Sequence, residues 1–102
     1  MTLQKKYLKS KPVCKVKFEL PKENAQDAKM VSLVGDFNQW DEQAGVMKKQ
    51  RNGNFALTLD LSTGAEYQFR YFLDGERWEN DPAADKYTPN NVCGADNSVV
   101  VV

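Results

Sequence analysis

The chain has 102 residues, 14 basic and 14 acidic side chains, no histidine and a formal net charge of zero. One core is all this length can bury, so a second domain is excluded, and a neutral chain offers no field to draw nucleic acid or an anionic membrane. Without histidine the usual general base at neutral pH and the commonest metal ligand are missing, which leaves only carboxylates, lysines and cysteines for any catalysis.

Residues 1–12, MTLQKKYLKSKP, are polar and lysine-rich, with Tyr7 and Leu8 as scattered apolar points, and are expected to form a flexible arm ahead of a domain over 13–102. No apolar run reaches signal-peptide length or the ~20 residues that span a bilayer, so the expectation is a soluble, cytoplasmic protein with no membrane partner. From Val13 the alternation of Cys14, Val16, Phe18 and Leu20 with Lys15, Lys17 and Glu19 predicts a half-buried strand. The polar stretch from Pro21 to Asp27 is a connecting loop. Met30 to Phe37 predicts a second strand, in which Gly35 marks a bulge or a close backbone approach, and Asp36-Phe37-Asn38-Gln39-Trp40-Asp41 then leaves the sheet.

Val46–Lys49 is a weak strand, and Asn52-Gly53 is a hairpin signal. Phe55, Leu57, Leu59 and Leu61 alternate with Ala56, Thr58 and Asp60, and Ser62-Thr63-Gly64 turns the chain. Tyr67, Phe69, Tyr71 and Leu73 then face one side while Gln68, Arg70 and Phe72 face the other, followed by a tight turn at Asp74-Gly75 and a returning strand with Trp78. A long loop from Asp81 to Asn97 precedes a valine-rich strand over Ser98–Val102. Short strands separated by turn signals at intervals of about 8–12 residues describe an all-β protein: a single-domain, immunoglobulin-like antiparallel β-sandwich.

Catalytic chemistry finds little footing. Asp74, Glu76, Glu79, Asp81 and Asp85 crowd one stretch, but a glycosidase needs one acid held protonated in a dry cleft, and these lie on turns and polar loops. They also lack the ordered spacing of a calcium loop, so no metal and no cofactor are expected. Cys14 and Cys93 form no C-x-x-C pair and are read as reduced thiols without a histidine partner. Binding is better served. Arg70 and Trp78 share an outward surface, and a cation beside a flat apolar ring suits a sugar, which has both hydroxyls and C–H faces. The structural alternative keeps Arg70 in a cross-strand ion pair and uses Trp78 and Trp40 to plug the edges of the sandwich.

VSLVGDFNQW, from Val31 to Trp40, together with YQFRYFLDGERWENDP, from Tyr67 to Pro82, and an asparagine ahead of the valine strand, resembles carbohydrate-binding module family 48. That family includes the glycogen-binding domain of the AMP-activated protein kinase β subunit and the isoamylase-type N-terminal domains of branching and debranching enzymes. The resemblance covers roughly residues 13–102. It implies non-catalytic binding of an α-1,4-glucan polysaccharide or oligosaccharide; many relatives are fused to a catalytic barrel that these 102 residues do not contain, so a stand-alone module is the expectation. Trp40 and Trp78 would stack on sugar, Arg70 would donate to hydroxyls, and Asn97 would bond a neighbouring glucose. The alternative it implies is an adaptor that docks a glucan-metabolising enzyme. The turn before Trp78 is one residue longer than in the kinase subunits. The loop where those subunits carry a leucine here reads Asn91-Val92-Cys93-Gly94-Ala95-Asp96.

Overall fold

The computed structural model describes residues 3–25, 28–89 and 96–102. Among these, strands β1 (Leu3–Tyr7), β2 (Val13–Leu20), β5 (Phe55–Ser62) and β4 (Lys48–Lys49) make one antiparallel sheet in the order β1-β2-β5-β4. The second sheet has the order β3-β6-β9-β8, from β3 (Val31–Gly35), β6 (Glu66–Leu73), β9 (Asp96–Val101) and β8 (Lys86–Pro89), and β7 (Arg77–Glu79) also pairs with β6. This is the immunoglobulin-like sandwich that the alternation predicts. A one-turn helix, α1 (Lys22–Ala25), is the one α-helix among the described residues.

Period-two alternation fills the space between the sheets. Val16, Phe18 and Leu20 from β2 meet Leu33 from β3 and Phe69, Tyr71 and Leu73 from β6, all fully buried. Phe69 presents near-perpendicular rings to both Phe18 (centroids 5.1 Å apart) and Tyr71 (5.7 Å), an edge-to-face geometry that suits the ring quadrupoles. Each such side chain contributes about 1.5–3 kcal/mol by leaving water.

The arm expected over 1–12 is instead in part a strand. Residues from Leu3 to Tyr7 pair with β2 from Leu3↔Phe18 to Tyr7↔Cys14. Leu3 is buried, and Lys5, on the same side of β1, reaches Asp85 Oδ2 at 2.6 Å. Asp85 also accepts from the Val101 backbone N–H at 2.7 Å, so one carboxylate ties β1 to the opposite sheet. That partner lies 80 residues away, which is why a lysine-rich stretch looked loose. The loop expected from Asp81 to Asn97 likewise contains β8, paired with β9 from Lys86↔Val99 to Pro89↔Asp96.

Gly35 is a close approach, as its place in the strand suggested. A Cβ there would lie 2.5 Å from the Gln68 carbonyl oxygen and 2.8 Å from Phe69 Cβ. At the turn into β7, Asp74 (φ 53°) and Gly75 (φ 68°) are both left-handed, and Glu76 N–H donates to the Leu73 carbonyl. Asp74 Oδ1 accepts from the N–H groups of Met30 (2.9 Å) and Lys29 (2.8 Å), which hold its carboxyl below the usual range. The turn at Asn52-Gly53 joins β4 to β5 as expected, with Gly53 at φ 90°. β6 thus runs through the middle of the second sheet, with β3 paired along one side of it and β9 and β7, in line, along the other.

Candidate functional site

Gln68, Arg70 and Phe72 stand on the outer face of β6, opposite in parity to the buried Phe69, Tyr71 and Leu73. Across the strand pairs, Gln68 lies beside Val99, Arg70 beside Val34, and Phe72 between Ser32 and Trp78. Trp78 is half-buried and stacks on Phe72, with centroids 4.3 Å apart and planes at 28°. The Arg70 guanidinium carbon lies over the same indole, 5.5 Å from its centroid, in cation–π contact. Two of the four residues singled out from sequence therefore touch.

The other two are reached through a short polar relay. β3 ends at Gly35 and the chain enters a 3-10 turn, Asp36–Asn38, followed by Gln39 and Trp40 with φ of 54° and 57°. Left-handed backbone costs a bulky residue roughly 1–2 kcal/mol. Local bonds offset this: Trp40 N–H donates to the Gly35 carbonyl at 2.9 Å, and the indole Nε1–H donates to Asp36 Oδ1 at 2.8 Å. Asp36 Oδ2 accepts from the Gln68 backbone N–H at 2.8 Å, and Gln68 Oε1 accepts from Asn97 Nδ2 at 3.0 Å. Trp40 is half-buried and stacks on no other ring among the described residues. It leaves the β3 edge near Gln68, whereas Trp78 sits on the opposite edge beside Phe72, roughly 13 Å further along β6 at about 3.3 Å per residue. Asn97 is only 4% exposed and underlies the face.

A buried network fixes the edge that carries Trp78. Tyr71 Oη–H donates to Asp81 Oδ2 at 2.7 Å, Asp81 N–H donates to Ser98 Oγ at 2.8 Å, and Ser98 Oγ–H donates to Asn80 Oδ1 at 2.8 Å. Asn80 Nδ2 in turn donates to the Asp96 carbonyl at 2.8 Å, joining the end of β7 to the start of β9. Burial, and then the neighbouring Asp81 charge, push the Tyr71 phenol well above its ordinary pKa. Asp81, read from sequence as one acid of a polar loop, is 1% exposed and belongs to this frame. With Asp74 engaged in its turn and Asp85 paired to Lys5, three of the five crowded carboxylates hold the fold together. Among the described residues no group of three or more Cys, Asp or Glu is placed to hold a metal ion.

Sequence reasoning missed Gln68, Phe72 and Asp36. The first two share Arg70's parity on β6, so the alternation that found Arg70 carried the signal for them as well. Asp36 stood in the quoted run before Trp40, but its bond to Gln68 spans 32 residues. Cys14 is a buried free thiol, while Cys93 and the 91–95 part of the altered loop lie outside the described residues.

Residues 15–102 match the family described as the glycogen recognition site of AMP-activated protein kinase, and the chain belongs to that family. It is similar to a 1,4-alpha-glucan branching enzyme of Shewanella sp. (strain MR-7), 42% identical over 73 residues that cover 66% of this chain and 10% of that enzyme. It is also similar to Protein PTST homolog 2, chloroplastic, of Arabidopsis thaliana, 35% identical over 75 residues that cover 74% of this chain and 13% of that protein. A third relative, the branching enzyme of Aliivibrio fischeri, is 36% identical over 69 residues, 66% of this chain and 9% of the enzyme. The chain spans about a tenth of the length of the curated relatives it matches.

Proposed function

We propose that the outer face of the second sheet binds α-1,4-glucan, as glycogen, starch or maltooligosaccharide, and does no chemistry on it. The observation that carries this reading is the Trp78 indole in contact with both Phe72 and Arg70 on an outward face, in a chain of the glycogen-recognition family. The aromatic pair offers an apolar ledge for a pyranose C–H face. The guanidinium beside it is the cationic group that sugar hydroxyls would meet, each net hydrogen bond contributing about 0.5–1.5 kcal/mol. Trp40 extends the platform from the other edge. Asn97, with little surface of its own, serves by holding Gln68. Set against the cost of association, these terms give an affinity on the order of micromolar to millimolar.

Titration with maltoheptaose, followed by tryptophan fluorescence, tests the reading. Saturable quenching or enhancement is expected in the wild type, to be lost in Trp78→Ala and weakened in Trp40→Ala. A flat signal to millimolar sugar contradicts it. Pure protein incubated with glycogen is expected to release no reducing sugar.

One observation favours a second role, docking to a glucan-metabolising enzyme. On the outer face of the first sheet Lys6 lies directly opposite Lys15, beside Lys17, and like charges so placed cost the fold stability. An acidic partner surface would relieve that cost. Salt-sensitive binding of a purified branching enzyme, lost in Lys6→Glu, is the expected result; binding unaffected by salt and by that change would argue against it.

A further inference from the structure

We infer that the cavity on the β3 side of Phe72 is a second hexose subsite, taking a glucose unit adjacent to the one held at Trp78. The inference rests on the glucan reading above and assigns new residues to it. The cavity, about 270 Å³, is lined by Met30, Ser32, Glu42, Gln43, Phe72 and Gly75. Phe72 is a shared wall, because its ring also carries the Trp78 indole at 4.3 Å. A ligand crossing β6 therefore passes from one site to the other without leaving the protein surface.

The lining has the chemistry of a sugar site. Ser32 is paired with Phe72 across the β3–β6 ladder and is 4% exposed, yet its hydroxyl makes no hydrogen bond to any described residue. The hydroxyl oxygen itself keeps a trace of accessible surface, so it is open to a ligand's hydroxyl. The Glu42 carboxylate, exposed at the rim, also takes no ion pair or hydrogen bond from a described residue. Gln43 is set in place by its backbone N–H, which donates to Asp41 Oδ1 at 2.9 Å. Met30, 54% exposed, and Phe72 supply the apolar sides, and the rim at Gly75 is open, since no heavy atom lies within 4 Å of a Cβ built there. An anionic ligand would be repelled by Glu42. A wholly apolar one would leave the Ser32 hydroxyl without water or partner. A neutral ring bearing hydroxyls satisfies both.

Titration of maltose, maltotetraose and maltoheptaose into wild-type protein, Glu42→Ala, Ser32→Ala and Trp78→Ala separates this subsite from the primary one. Glu42 is on an exposed turn, so its variant keeps the fold even if Ser32→Ala does not. In the wild type, affinity is expected to rise with chain length. Glu42→Ala and Ser32→Ala should each weaken maltoheptaose roughly five-fold, the loss of about one net hydrogen bond, and leave maltose nearly unchanged. The backbone amide resonances of Ser32 and Gln43 should shift with the longer sugars and not with maltose. If both variants bind maltoheptaose like the wild type and those amides stay still while the Trp78 indole responds, the subsite is absent although the glucan reading stands. If the wild type responds to no sugar of any length, the reading fails and the subsite with it.

Discussion

The two outward faces of this sandwich are built on strands of equal length and similar alternation, for β2, β5 and β6 each run eight residues, but they finish differently. On the first sheet the outward positions include Lys6, Lys15, Lys17, Glu19, Thr58 and Asp60, joined by loose pairs such as Lys15–Asp60 at 3.8 Å and Lys17–Glu19 at 3.7 Å. Wet pairs of this kind contribute about 0–1 kcal/mol and impose no shape. On the second sheet, outward-pointing Ser32, Val34, Val99 and Asn97 are 4%, 0%, 2% and 4% exposed. Their neighbours in register are long side chains, Phe72, Arg70 and Gln68, which shield the smaller groups beside them. A face whose small residues are dry and whose large ones are fixed by stacking and hydrogen bonds has a set contour, and binding to it requires little reordering. That contrast is what separates a solvated sheet from a recognition surface.

The contrast breaks most severely if the frame of the second sheet is cut. Asp81→Ala leaves the buried Tyr71 hydroxyl and the Ala83 backbone N–H without their acceptor. Stability is expected to fall by about 3 kcal/mol, read from the urea midpoint at constant slope, with glucan binding falling alongside it. Gly35→Ala comes next. Its methyl would overlap the Gln68 carbonyl, so a loss of about 2 kcal/mol should accompany weaker binding through a displaced Gln68.

Alkaline titration is a gentler probe of the same network. The unfolded Tyr71 phenol titrates near pH ~10, and the folded one above that. Below about pH 10 both states keep the proton and the contribution of Tyr71 is constant; above it the unfolded chain releases the proton first, so stability falls as pH rises toward the folded value. Thermal melts should show a steeper alkaline decline in the wild type than in Tyr71→Phe. The smallest effect belongs to the other face: Lys6→Glu replaces a like-charge pair by an attractive one, for a gain of about 0.5 kcal/mol in chemical denaturation and no change in glucan affinity.

Much of the second sheet was legible because period two is a strong signal where one face is buried. It located β6, its outward Arg70, the Asp74-Gly75 turn and the return through Trp78. The pieces that escaped depend on partners far along the chain. β1 is held by Leu3 in the core and by Lys5 on Asp85, and neither contact leaves a mark on the composition of LQKKY. β8, KYTP, has no buried residue to give it a pattern. Asp81 looked like its solvated neighbours because a carboxylate's burial is decided by what lies opposite, here a tyrosine hydroxyl ten residues back on β6. Trp40 and Asn97 were found by motif, but the Asp36–Gln68 relay that connects them emerges only when β3 and β6 are laid side by side.

The chain contains two tryptophans, so its indole N–H resonances can be assigned by single substitution and followed during titration with maltoheptaose. The Trp78 signal is expected to move saturably and the Trp40 signal to move with it, while the amides of Lys15, Lys17 and Thr58 on the opposite face stay in place. Shifts confined to that opposite face, or two indole signals that never move, would contradict glucan binding on the second sheet.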